Sequence, residues 1–188
     1  MHRECLIGKL QRYRPSSDYE KQCKKQMMEF ICNNPDCFKR ELLEGHITFS
    51  AWVLSPDFSR ALMLHHKKLD KWLQPGGHAD GEINPVEGAL KEAREETGIS
   101  RIKALSRSIF DIDIHEIPTY KETPAHLHYD VRILVQAQSN RCNKNSESNE
   151  LCWALPEEVQ LLTQEPSVLR MRDKWSKLLE LSQLKKSA

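Results

Sequence analysis

The 188-residue sequence has no long apolar run, no charge of one sign in excess and no close pair of cysteines, and each absence removes a class of function. Its longest apolar stretches, such as 51–54 and 133–135, fall far below the ~18–20 residues that span a bilayer. Lys and Arg number 28 against 27 Asp and Glu, a formal net charge of +1, so nothing electrostatic points to nucleic acid or an anionic membrane. The six cysteines are irregularly spaced without a C-x-x-C pair. Cys32 and Cys37 make at most half of a zinc site, and reduced thiols in a reducing compartment are the plainer reading. The opening MHRECLIGKLQRYR holds no apolar core of a secretory signal. The expectation is a cytoplasmic protein with no nucleic-acid and no membrane partner, long enough for one ordinary core.

What is there begins with a helical pattern over 17–44, interrupted at Asn33-Asn34-Pro35 and resumed as a second short helix that stops at Gly45. From His46 the period shortens to two: Ile47, Phe49, Ala51 and Val53 alternate with His46, Thr48, Ser50 and Trp52, the signature of a strand. A turn at Ser55-Pro56-Asp57 returns the chain as a strand over 60–66. The glycine-rich 73–82 reads as a strand entering a tight loop. A helix follows, with Asn84 as N-cap, Pro85 at its first position, Glu87 completing a capping box and Gly98 closing the far end. Strands are predicted over 102–114 and 125–138, a polar surface loop over 139–149, and two helices over 156–162 and 166–184, the last with Val168, Met171, Trp175, Leu178 and Leu179 inward. The order is that of an α/β (α+β) domain, 45–188, preceded by an N-terminal helical extension, 1–44, in a single-domain chain.

The chemistry gathers on the helix after the glycine turn. At ~3.6 residues per turn, Glu92, Glu95 and Glu96 share one arc, and Val86, Ala89, Leu90 and Ala93 share the adjacent one. The carboxylate arc is locally unfavourable. Like charges four apart oppose one another by roughly 0.2–0.5 kcal/mol, and the helix dipole disfavours anions in the last turn by a further ~0.3–1 kcal/mol each. A divalent cation relieves both, and three carboxylates with room for water suit Mg2+. A solvated acidic face is the bland alternative. Gly76 and Gly77, just ahead, favour the metal, because glycines let backbone approach a metal or phosphate closely.

These residues resemble the Nudix box: glycine, five residues, glutamate, seven residues, then Arg-Glu-aliphatic-any-Glu-Glu-any-Gly-aliphatic. Gly77, Glu92, Ala93, Glu95, Glu96, Gly98 and Ile99 fall in register with it. Lys91 stands where the pattern has arginine, and Glu82 comes one place early, with Ile83 in the expected slot. The resemblance covers about 45–165. It implies a mixed sheet sandwiched between helices and a Mg2+-dependent pyrophosphohydrolase, Mn2+ being a substitute, that cleaves a nucleoside diphosphate linked to another group. By the same resemblance Glu92, Glu95 and Glu96 bind metal with the Gly76 carbonyl as a further ligand, Glu92 is the choice for orienting or deprotonating water, and Lys91 holds the glutamates, although lysine lacks the planar fork of arginine.

In PAHLHYDV the residues His126, His128 and Asp130 alternate with Leu127, Tyr129 and Val131, so a strand puts them on one face. With His46 and His78 they form a candidate polar wall that contacts substrate phosphate or supplies an extra ligand; surface or hydrogen-bonded histidines are the plainer alternative. HITFSAW and Gly77-His78 are also similar to isopentenyl diphosphate isomerase, a Nudix-fold enzyme with a histidine-rich metal site. That enzyme needs a reactive cysteine near the glycine turn, and no cysteine lies between Cys37 and Cys142. A Nudix-fold module that binds a nucleotide without cleaving it is the third reading, disfavoured by the retained glutamates. Trp52, Trp72 and Tyr129 offer flat surfaces to a base or, more simply, to the core. The expected partner is a small nucleotide or diphosphate. Oligomeric state is left open, a dimer included.

Overall fold

The alternating stretches become the long strands of an α/β fold. The computed structural model describes residues 2–119 and 123–184, with side chains as far as 181. In chain order the elements are α1 (Glu4–Arg12), α2 (Asp18–Asn33), β1 (Gly45–Leu54), β2 (Ala61–His66), β3 (Lys71–Leu73), β4 (Gly76–His78), α3 (Pro85–Thr97), β5 (Ile102–Ala104), β6 (Asp111–Ile117), β7 (His126–Ala137), β8 (Ser148–Ala154), α4 (Pro156–Leu162) and α5 (Pro166–Leu184).

Packing separates two compact units, 1–51 with 76–92 and 104–134, and 52–75 with 93–103 and 135–188. In the first, β1 lies between β4 and β7, and β6 pairs β7. Thr48 faces His78, Phe49 faces Gly77 and Ser50 faces Gly76 across the β1–β4 pair; Asp113 faces Asp130 and His115 faces His128 across β6–β7. The helices α1 and α2 bury Leu6, Leu10, Met27 and Ile31 here, and Phe30 stacks on Tyr129 with ring centroids 3.9 Å apart. In the second unit β2 lies between β3 and β8 and also meets the end of β1, at Leu54 and Ala61. Trp52 and Trp175 meet edge to face at 6.2 Å in its core, with Val168 and Met171 also buried. β5 pairs β7.

Several expectations change. The short helix expected between Pro35 and Gly45 does not form: 34–44 is a succession of turns, in which Lys39 N–H donates to Asp36 O at 2.8 Å and Leu42 N–H to Lys39 O at 3.2 Å. These three-residue closures never lengthen into the four-residue repeat that propagates an α-helix. The stretch 102–114 is two strands, β5 and β6, parted by a turn in which Ser106 Oγ accepts Ser108 N–H at 3.0 Å. The loop expected over 139–149 gives way at Ser148 to β8, whose polar start hides its period. Leu178, expected inward on α5, is exposed. Trp52 and Tyr129 are core residues, as their plainer reading had it.

β1 departs furthest from the half-buried strand that alternation implies, since all ten of its residues are buried. Its polar row, His46, Thr48 and Ser50, is interior and must find partners there. On the other face α3 docks closely. A Cβ built on Gly88 would lie 2.2 Å from Phe49 Cδ2, so only glycine lets helix and strand approach. Gly88→Ala is expected to cost about 1–3 kcal/mol by overpacking, read as a lowered urea midpoint with an unchanged slope; an unchanged midpoint contradicts this contact.

Candidate functional site

The helix that carries the glutamates is fixed at its entry by side chains. Asn84 Oδ1 accepts Val86 N–H at 3.2 Å, the N-cap expected from sequence. Glu82 Oε1 accepts the N–H groups of Ile83 at 2.8 Å and Asn84 at 2.7 Å. The glutamate that comes one place early therefore holds the loop leading into α3. The apolar arc of Val86, Ala89, Leu90 and Ala93 is buried as expected, and Gly98 ends the helix at φ +66°.

The three glutamates of the adjacent arc differ in exposure: Glu95 is exposed, Glu92 half-buried and Glu96 buried. Lys91 Nζ lies 3.0 Å from Glu92 Oε1. A Cβ on Gly77 would lie 2.3 Å from Glu92 Oε2, so the carboxylate occupies the space that a side chain at this turn would need. Gly76, the candidate carbonyl ligand, is packed against Ser50, whose Oγ would stand 2.2 Å from a Cβ there. The turn continues through Asp80 at φ +47° and Gly81 at φ +89°.

Arg40 joins this turn. Its Nε donates to Asp80 Oδ1 at 2.7 Å, and its second nitrogen pairs with Asp80 Oδ2. The hydrogen bond it donates to Asp80 holds the guanidinium above its usual range, with Glu92 adding attraction; the same bond holds Asp80 below the carboxylate range. Sequence reasoning missed Arg40 because 34–44 read as helix ahead of the box. Asn34-Pro35 signals a turn, and from sequence it reads only as a break between two helices.

On the opposite face of β1 and β4 the histidines converge. Paired residues on adjacent antiparallel strands share a face, and successive residues alternate. Phe49 and Gly77 face α3, so His46, Thr48 and His78 face away from it. The ring centroids of His46 lie 4.9 Å from those of His78, His126 and His128; His78 lies 5.1 Å and His115 5.5 Å from His128. Ligand atoms of His46, His78 and His128 all lie within 4.8 Å of one another. Burial pushes the pKa of His78 down to about 4, with Arg40 and His46 contributing, and that of His128 down to about 2. Burial lowers His46 as well. These three rings are therefore neutral at pH 7, with lone pairs available.

Asp130, grouped with the histidines by alternation, is engaged elsewhere. It accepts from Thr48 Oγ1 at 3.0 Å, from Ser50 Oγ at 2.9 Å and from Arg132 Nε at 2.7 Å. Arg132 also reaches Asp111 at 3.1 Å and Asp113 at 3.6 Å, and Tyr19 donates to Asp113 at 3.0 Å. Burial alone would lower the pKa of Arg132, but Asp130, Asp113 and Asp111 together raise it. A shallow cavity of about 430 Å³ involves Phe30, Leu127 and Tyr129; the last two alternate with the histidines of β7 and leave the strand on its other face. Cys37, one half of the weak zinc-site candidate, is fully buried. Burial pushes its thiol up to about 11, the reverse of a reactive thiolate.

The NUDIX domain family model matches residues 44–174. No curated protein matches the chain. Among solved structures, the Caenorhabditis elegans Ap4A hydrolase binary complex is 13% identical, with a TM-score of 0.51 over 71% of this chain and 97% of that one. The Escherichia coli dihydroneopterin triphosphate pyrophosphohydrolase is 14% identical, with a TM-score of 0.51 over 68% and 92%. The MutT protein of Methanosarcina mazei Go1 is 18% identical, with a TM-score of 0.51 over 75% and 97%. These likenesses establish the fold.

The buried ion network makes its own demand on stability. Arg132→Met, which leaves three aspartates facing no guanidinium, is expected to cost about 3–5 kcal/mol in urea unfolding. A loss under about 1 kcal/mol would mean the charges are compensated in some other way.

Proposed function

The chain belongs to the NUDIX family, and on that premise we propose that it is a Mg2+-dependent pyrophosphohydrolase acting on a nucleoside diphosphate linked to a second group. The observation that carries this reading is the packing of the Glu92 carboxylate against Gly77, with Lys91 at 3.0 Å from its other oxygen. An acidic face selected only for solvation has no need of a glycine that makes room for it.

That packing is also the fit for a cation. Glu92, Glu95 and Glu96, with the Gly76 carbonyl, would hold Mg2+, and Mn2+ in its place; hard oxygen donors are the set such ions prefer. When bound, the ion supplies positive charge to the diphosphate oxygens and acidifies a neighbouring water.

The chain's residues do the rest. Lys91 restrains Glu92, so the carboxylate that orients water or takes its proton is held in one position. Arg40, aimed by Asp80, places a fixed positive charge beside the same turn, where a phosphate is received. Hydrolysis then balances simply. A water oxygen bonds to phosphorus, the bridging P–O bond breaks, one water proton passes to a glutamate and the departing phosphate takes up another. The domain doing this is 45–188, with 1–44 as its N-terminal extension, in a cytoplasmic chain whose partner is a small molecule. His46, His78, His126, His128 and Asp130 are proposed to support substrate binding from behind the turn, since they face away from α3.

The buried, protonated Cys37 speaks against isomerase chemistry, and retention of the glutamates speaks against a binding-only module. Purified protein with Mg2+ is expected to release phosphorylated products from at least one of a panel of nucleoside diphosphate sugars, dinucleoside polyphosphates, ADP-ribose, NADH and oxidised nucleoside triphosphates. Glu95→Gln, at an exposed position that leaves the fold intact, should abolish that release. Nucleotide binding without turnover in the unmodified protein would instead make it a binding module.

A further inference from the structure

We propose that His46, His78 and His128 form a second metal site, chemically distinct from the glutamates of α3 and selective for a transition-metal ion of the zinc or cobalt kind. Three observations point to it independently of any hydrolytic activity.

The first is convergence. The candidate ligand atoms of the three imidazoles lie within 4.8 Å of one another. An ion about 2.0–2.1 Å from each nitrogen then needs each ring to move by less than about an ångström. The second is unused bonding capacity. Nε2 of His46 and Nε2 of His128 are buried without a hydrogen-bond partner, and His46 is only 3% exposed. A buried polar atom without a partner carries a cost that coordination removes. The third is orientation. His46 Nδ1 lies 3.4 Å from Leu42 O, and a carbonyl can only accept. The proton is therefore on Nδ1, and the Nε2 lone pair faces the cluster. The neighbouring His126 is held in the same way, by Nδ1 at 2.8 Å from Pro124 O. Backbone carbonyls that fix the far nitrogen of a ring are the usual outer support of a metal-binding histidine.

The donor set decides the class of ion. Three imidazole nitrogens suit Zn2+, Co2+, Ni2+ or Cu2+ and are poor ligands for Mg2+, which takes carboxylate, carbonyl and water oxygens. Position decides the consequence. The three histidines stand on β1, β4 and β7, so the ion ties β4 to β1, its pairing partner, and across β1 to β7. The opposite side of β4 carries Gly77, against which Glu92 packs. A nitrogen-bound ion behind the turn therefore stiffens the backbone from which the candidate magnesium site is built.

The test uses the full chain freed of metal by chelation, titrated with CoCl2 in the presence of excess MgCl2. One equivalent of Co2+ per chain is expected, with the intense visible absorption of a low-coordinate nitrogen site and a rise in thermal midpoint. His78→Ala and His128→Gln should each weaken Co2+ binding by more than about a hundredfold, beyond the loss of an outer partner. Glu95→Gln should leave it unchanged. Because a substitution inside the cluster can disturb folding, the unmodified protein supplies a second measurement: the ring protons of His46, His78 and His128 should shift strongly in the NMR spectrum as Co2+ is added. Absence of tight uptake over Mg2+, or an absorption band that survives both histidine substitutions, overturns the proposal. Either result leaves the hydrolase reading standing or falling on its own assay.

Discussion

One buried guanidinium organises the polar interior of the first unit. Arg132 is 2% exposed and faces Asp111, Asp113 and Asp130, so β6 and β7 are joined by charge as well as by their backbone ladder. Asp130 passes the constraint to β1 through Thr48 and Ser50. A lone buried charge would cost several kcal/mol, which requires this cluster to be assembled as a whole. The histidines occupy the continuation of the same polar rows: His46 before Thr48 on β1, His128 before Asp130 on β7.

A division of labour follows from strand geometry. The β1–β4 pair presents an apolar and glycine-lined face to α3, with Phe49 against Gly88 and Gly77 against Glu92. Its other face carries His46, Thr48 and His78. Glu92 and the imidazoles therefore occupy opposite sides of a single layer of backbone, and β4, only three residues long, is common to both. Its shortness and its two glycines explain why each side can approach so closely. They also explain why restraint from neighbours matters, since glycine backbone has the most freedom to lose.

Much of this was legible in the sequence because local chemistry declared it. Asn84, Pro85 and Gly98 delimit a helix by capping rules. The alternation at 46–53 and 126–131 gives strands whose polar rows do share faces. The spacing of Glu92, Glu95 and Glu96 gives one helical arc, and the match to the Nudix pattern gave the family. What escaped was decided by tertiary context. β8 hides behind Ser148, Asn149 and Glu150 because its partner β2, not its own period, makes it a strand. The turns over 34–44 carry helix-forming residues that never close a four-residue bond, so Arg40 was not visible as a neighbour of Asp80. Burial of the polar row of β1 was also invisible, since alternation alone cannot say that both faces are covered. Alternation places Asp130 in the row of the histidines, but it could not show that Arg132, two residues on, is its ion-pair partner.

The central claim is that the carboxylates beside the glycine turn hold a divalent ion against a diphosphate, and it is tested most directly by following the EPR signal of free Mn2+ in the presence of methylenediphosphonate, a diphosphate that cannot be hydrolysed. The signal should fall as the ternary complex forms, and the fall should vanish in Glu92→Gln. Uptake of Mn2+ that persists unchanged without the Glu92 carboxylate would contradict the account.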